Sequence, residues 1–323
     1  MLFRSDIAVN GVRLGSVNDN SNKSLAPQHA MFELGNVIPR LVWALATARR
    51  DVPVLFSKIN LKDGYWRMCV SADDAWNFAY VLPKLDENEP TVLVVPDALQ
   101  MGWSESPPFF CAATETAWDV AIKTFQDSTE IPEQPLEHII LDSVKSKLFP
   151  NLTRLRQTKL LQLLEVYIDD FIGIIQPKNF DELQRFTQAI LQAIYNTFPP
   201  PDVTGSDMGP PISEKKLLQE GIWETRKEIL GWLFDSIKRT IELPKSKCTK
   251  LQGEIKHALE FSHKNKKAFI PLRLFEKLHG KLQFATIALA IGKPLMGPLD
   301  AALSRARNTS DKRVVLTPEL RSE

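Results

Sequence analysis

The sequence predicts an α+β chain. Three features point to it. Val166 to Ile175 reads as an apolar strand–turn–strand. Asn179 to Phe198 places Phe180, Leu183, Phe186, Ile190, Leu191 and Ile194 at helical spacing. From Ser246 to about Arg307 the pattern is helical, with a break at Gly292-Lys293-Pro294.

In chain order, residues 1–26 are polar with little periodicity and are expected to form a poorly ordered arm. His29 to Ala48 suits an amphipathic helix interrupted near Pro39. Val52 to Ser57 reads as a buried strand, with Trp66 to Val70 continuing extended. Ser71 to Asp74 is a turn cluster whose acids are expected to be solvated. Trp76 to Leu82 alternates like a strand, and Thr91 to Pro96 is β-branched. A Gly, Ser and Pro turn at Gln100 leads into a helix from Pro108 to Phe125. Residues 126–150 hold acids and prolines and read as an exposed insertion, extended to 126–160 on length. Leu152 to Leu164 reads as helix, 202–213 as loop, and Ile229–Phe234 with Thr240–Leu243 as a hairpin.

Composition narrows the function classes. Apolar residues make up 44% and charged residues 24%, which excludes collagen-like and wholly disordered chains. Net charge is +1, so a uniformly basic coat is excluded. The charge is uneven, however: Glu214–Lys281 holds 16 Lys and Arg against 9 Asp and Glu. That +7 segment could face a polyanion or be a set of solvated helix faces. Cys69, Cys111 and Cys248 are odd in number and far apart, with no CxxC pair. An intracellular location, cytoplasmic or nuclear, is expected. The apolar run Ala285–Ile291 is too short to span a bilayer, so no membrane association is expected.

The strongest chemical signal is Tyr167-Ile168-Asp169-Asp170 between apolar flanks. Adjacent carboxylates in a tight, mostly buried hairpin repel unless a cation lies between them. Mg²⁺ held by one or two carboxylates and by substrate phosphates is one answer, and an ordinary charged turn is the other.

At these residues the chain resembles the reverse transcriptases of retroelements, over roughly residues 25–320. Tyr167-Ile168-Asp169-Asp170 matches the family's YxDD motif. Phe56 to Trp66 is similar to the first palm motif, and Gln100 to Pro107 to the Gly-Trp-x-x-Ser-Pro turn. Ile229-Leu230-Gly231-Trp232 resembles the primer-grip hairpin. His279–Ala285 with Gly292–Leu295 is similar to the segment after the polymerase core in retrotransposon polyproteins.

The resemblance implies a right-hand polymerase: fingers, a palm with a small antiparallel sheet backed by helices, and a helical thumb. It places fingers and first palm strands at 27–110 and the palm at 111–228. The primer-grip hairpin would be 229–245, and a thumb or connection 246–323 would end before any RNase H-like domain. It implies RNA-directed DNA synthesis by two-metal phosphoryl transfer with Mg²⁺ or Mn²⁺. The partners would be an RNA or DNA template–primer and deoxynucleoside triphosphates. Asp169 would ligate metal and Asp170 would support it. Leu61, Asp63 and Tyr65 would lie at the nucleotide, where Tyr65 is either a gate against the 2′-hydroxyl or a core aromatic. Met101, Gly102 and Trp103 would flank the nascent base pair. Lys215 or Lys216 would approach the phosphates or be solvated, with Lys216 the preferred candidate. Leu230, Gly231 and Trp232 would hold the primer end.

One position departs from the family. Where the first palm motif carries a metal-bridging Asp, this chain has Asn60. An amide oxygen can ligate, but it carries no charge. The expectation is a reverse-transcriptase-like domain with severely reduced catalysis; the alternative is a non-catalytic, retroelement-derived nucleic-acid binder.

Overall fold

The computed structural model describes residues 8–9, 12–13, 31–32, 34–84, 86–127, 129–145, 160–200, 209–264, 269–287 and 292–317. Most of the expected arm at 1–26 therefore lies outside the described residues, as do 146–159 and 201–208. Within the arm, β1 (Ala8–Val9) and β2 (Val12–Arg13) pair antiparallel. The architecture is α+β, with helices and small antiparallel sheets. The chain divides into two compact units. The first holds residues 1–37 and 49–224; the second holds 38–48 and 225–323.

The first unit is built on a three-stranded antiparallel sheet. Its strands are β3 (Leu55–Asn60), β6 (Gln162–Tyr167) and β7 (Asp170–Ile175), ordered β3-β7-β6. Two small strands lie between them in sequence, β4 (Tyr80–Val81) and β5 (Leu93–Val94), and they pair with each other. Period-two alternation gives the central sheet two unlike faces. On one face Leu55, Ile59, Leu164, Phe171 and Ile175 join the main core. Two helices meet one another beside it: α3 (Ser106–Gln126), which starts with Pro107 in its first turn, and α5 (Phe180–Thr197). Asn179 caps α5 by accepting from the Glu182 N–H. Arg185 of α5 donates to the carbonyls of Thr124 and Phe125 at the end of α3, satisfying groups that have no intrahelical partner there.

Gly173 belongs to this packing. A Cβ there would lie 2.7 Å from Cη2 of Trp223, which is fully buried and donates from Nε1 to Thr187 Oγ1. The open edge of β3 is closed by the segment Ile212–Glu224. It bridges Leu61 at Ile212 and Phe56 at Glu224. Between those bridges it bulges through one helical turn, Glu214–Lys216, into a π-helical turn, Leu217–Gly221. Ser57 Oγ donates to the Gly221 carbonyl and pins the bulge down.

Several elements differ from the sequence expectation. Pro39 does not interrupt its helix: α1 (Val37–Thr47) runs through it, because Pro39 sits in the first turn, where its missing N–H has no acceptor to lose. The strand expected at Val52–Ser57 is displaced to Leu55–Asn60. Trp66 to Val70 is not extended throughout; a 3₁₀ turn covers Tyr65–Arg67. Asp73 and Asp74 are exposed, as expected, but in a short helix, α2 (Ala72–Ala75), capped by Ser71. Trp76–Phe78 is 3₁₀ rather than strand. The stretch 126–160 is not simply an exposed insertion. It carries α4 (Glu137–Lys145), whose Ile140, Leu141 and Val144 are buried in the main core. Residues 162–164 are strand, not helix.

The second unit holds a meander ordered β10-β9-β8: β8 (Arg226–Ile229), β9 (Trp232–Asp235) and β10 (Thr240–Glu242). The strand expected at Ile229–Phe234 is therefore split by a turn at Leu230-Gly231: β9 pairs with β10, as expected for the hairpin, and also with β8. Both turn residues have positive φ, 48° and 84°, the requirement of a tight two-residue hairpin loop. Arg239 Nη1 donates to the Leu45 and Ala48 carbonyls, capping the end of α1. After the single turn at Glu214–Lys216 (α6) come three longer helices: α7 (Lys245–Lys264), α8 (Leu272–Thr286) and α9 (Gly292–Arg307). The run from Ser246 is not wholly helical. β11 (Phe269–Pro271) pairs with β12 (Arg313–Val315), and Ile270 and Val314 enter a second core with Phe275 and Leu303. The helical run does break near Gly292, but just before it: α8 ends at Thr286 and α9 starts at Gly292.

Candidate functional site

The carboxylate pair sits at the β6–β7 turn. Tyr167 ends β6, Asp170 starts β7, and Ile168-Asp169 forms the two-residue loop. Ile168 has φ 56°, uncommon for a β-branched residue. The sheet continues past the turn, because Leu61 N–H donates to the Asp169 carbonyl at 2.8 Å. Asn60 lies directly across from Asp170 in the register. The three residues that the sequence put forward as the metal site are thus brought together.

Their donor set is not that of an empty metal cage. Asn60 Nδ2 donates to Asp169 Oδ2 at 2.8 Å and to Asp170 Oδ1 at 3.0 Å. Asn60 Oδ1 is turned the other way and accepts from Lys216 Nζ at 2.5 Å. Lys58, two residues before Asn60 and so on the same face of β3, places Nζ 3.7 Å from Asp170 Oδ2. It also pairs with Glu220 Oε2 at 2.6 Å. The site holds three carboxylates and two ammonium groups.

Burial pushes the Asp170 carboxyl above its usual range; Lys58 and the Asn60 N–H pull it back, while Asp169 and Glu220 push it further up. Burial works against the charge on Lys58, but the Glu220 hydrogen bond and the charges of Asp170, Glu220 and Asp169 outweigh it, and its pKa is raised. Lys58 and Glu220 are members of the site that sequence reasoning missed. Lys58 was readable from the strand period. Glu220 arrives by the π-helical turn, which has no local signature.

Mg²⁺ and Mn²⁺ prefer anionic oxygen ligands. Here the atom of Asn60 that faces the carboxylates is a nitrogen carrying hydrogens. Its oxygen is occupied by Lys216. The residues present do not fit a carboxylate-bridged pair of metal ions. Among the described residues no cluster of three or more His, Cys, Asp or Glu with metal-ligand geometry occurs.

The remaining candidates fall into two groups. Leu61 is buried and bridges Ile212. Asp63, with φ 57°, is exposed and lies 3.8 Å from Lys62 Nζ. Tyr65 lies on Phe110, ring centroids 5.0 Å apart, and a Cβ at Gly64 would strike that same ring at 2.5 Å. Burial raises the Tyr65 pKa, with smaller contributions from Cys111 and Asp169. Met101 is 71% exposed, Gly102 has φ 101°, and Trp103 sits between Phe78 and Phe109 at 4.9 and 6.1 Å. Ser106 Oγ donates to the Gln100 carbonyl and closes this turn. Arg67 donates to the carbonyls of Lys62, Gly209 and Pro210, fastening the approach to Ile212.

Leu230, Gly231 and Trp232 belong to the second unit. Gly231 faces Lys247 and Phe284, and its carbonyl accepts from Lys247 Nζ at 3.1 Å. The Trp232 ring is fully buried against Phe284, and among the described residues its Nε1 has no hydrogen-bond partner. The Trp232 side chain is therefore core, and Leu230-Gly231 is the tight turn of the β8–β9 hairpin.

The chain matches no protein-family profile and no curated protein. No helix among the described residues is long and apolar enough to cross a membrane.

Proposed function

We propose that this chain is a reverse-transcriptase-like domain of a retroelement that engages a template–primer but whose DNA synthesis is impaired. The reading takes the first unit as fingers and palm and the helices of the second as thumb, in a right-hand polymerase. The observation that carries it is the register of Asn60 with Asp170 beside the Asp169 turn. Two motifs more than 100 residues apart converge there at one end of a small antiparallel sheet. The same observation supports the impairment, since the third position supplies N–H groups instead of an anionic oxygen. A divalent cation entering this site would have Asp169 and Asp170 as its protein carboxylates.

Charge supports a polyanionic partner. The second unit carries 21 Lys and Arg against 10 Asp and Glu, a net +11, whereas the first carries 19 against 29. The exposed Met101 and the half-exposed Trp103 suit stacking against bases. Fluorescence anisotropy with a labelled recessed primer on an RNA template tests this reading. Binding that weakens steeply between about 50 and about 200 mM salt is expected. A salt-independent signal, or none at low salt, would contradict it. Nucleic-acid binding without any synthesis is the second reading, and the two lysines at the carboxylate pair favour it.

A further inference from the structure

We propose that Lys58, directly, and Lys216, through Asn60, are the resident cations of the Asp169–Asp170 pair, so that a divalent metal must compete with internal ammonium groups to bind. Two ionised carboxylates on adjacent residues need a neighbouring positive charge. Here that charge is already present in the fold. Lys58 meets Asp170 directly at 3.7 Å. Lys216 acts through Asn60: its Nζ donates to Oδ1 at 2.5 Å, and the same amide donates from Nδ2 to both carboxylates. Polarising the amide oxygen strengthens the two N–H donors on its other end. Asn60 is thus the relay that lets one ammonium serve two carboxylates, a role that Asp could not fill because it has no donor when ionised.

The backbone is shaped for this arrangement. Lys216 ends the single helical turn and Glu220 lies in the π-helical turn that follows. That turn is held to β3 by Ser57 Oγ on the Gly221 carbonyl. Glu220 keeps Lys58 at the site through its 2.6 Å ion pair. Shortening the π-helical bulge would withdraw Lys216 and Glu220 together. This inference concerns the same carboxylates as the proposed function, but its test contains neither primer nor nucleotide. The two can therefore fail separately.

The test is direct metal binding by the full chain, read as loss of the free Mn²⁺ signal in electron paramagnetic resonance. The native protein is expected to bind Mn²⁺ weakly. Lys216→Ala should tighten binding about tenfold, the effect of removing one competing charge, and Lys216→Arg should stay close to native. Asn60→Asp combined with Lys216→Ala should bind more tightly than Asn60→Asp alone. Circular dichroism and thermal melts establish that each variant is folded, and the Arg variant separates charge from packing. Native affinity that Lys216→Ala changes by less than about twofold would overturn the proposal. Equal affinity of the Asn60→Asp single and double variants would do so as well.

Discussion

Asn60 touches both carboxylates through its nitrogen, and its oxygen accepts from Lys216, so the amide is oriented by its partners and not free to present oxygen inward. The consequence is a charge cluster held by ammonium groups, and Lys58 gives it a pH signature. Its pKa is raised in the folded state. The stability it contributes is complete below lysine's ordinary value of 10.5 and is lost as pH rises through the higher folded value. Asp170 is likewise raised, so ionising it costs stability as pH climbs past the usual carboxylate range. Thermal melts between about pH 9 and about pH 12 should therefore show a shallower alkaline fall for Lys58→Met than for the native chain. Equal slopes would mean that Lys58 is not coupled to the carboxylates. At this scale the sequence was legible where a contact follows from strand period or hairpin adjacency, as at Asp169, Asp170 and Asn60. It was silent on Glu220 and on which end of the Asn60 amide faces inward, because both depend on a bulge joined to β3 across more than 150 residues.

The element that fixes the site is β3, clamped between β7 on one edge and the Ile212–Glu224 segment on the other. Trp223 locks that clamp from the core face, where its ring occupies the space that Gly173 leaves. Gly173→Ala should cost about 1–3 kcal/mol by overpacking, measured by urea unfolding, and restoring space with a smaller residue at Trp223 should recover part of it. A neutral Gly173→Ala would show that the indole is not tightly held. The α5 helix was legible because it is long, periodic and capped by Asn179; of the β6–β7 hairpin only Val166–Ile175 was legible, and the first half of β6 was read as helix. The 126–160 stretch was misread because α4 is short and surrounded by prolines and acids. Its burial comes from contacts with α5 and with the π-helical turn, which local composition does not encode. The same holds for β11 and β12, three-residue strands more than 40 positions apart that look like parts of a helical run and a tail until they pair.

For the whole molecule, opposite charge excess separates the two compact units. The sequence showed the basic segment but not the boundary, because residues 38–48 join a unit that otherwise starts at 225. The chain combines helices with small antiparallel sheets, and under the proposed reverse-transcriptase-like function its Asp169–Asp170 site lacks one anionic ligand. Single-turnover primer extension on an RNA template tests that claim most directly, with native protein, Asn60→Asp, and Asn60→Asp carrying Asp169→Asn, each in Mg²⁺ and in Mn²⁺. No extension by the native chain, extension by Asn60→Asp, and its loss in the double variant are the predicted results. Robust extension by the native chain, or none after Asn60→Asp despite a bound template–primer, would contradict it.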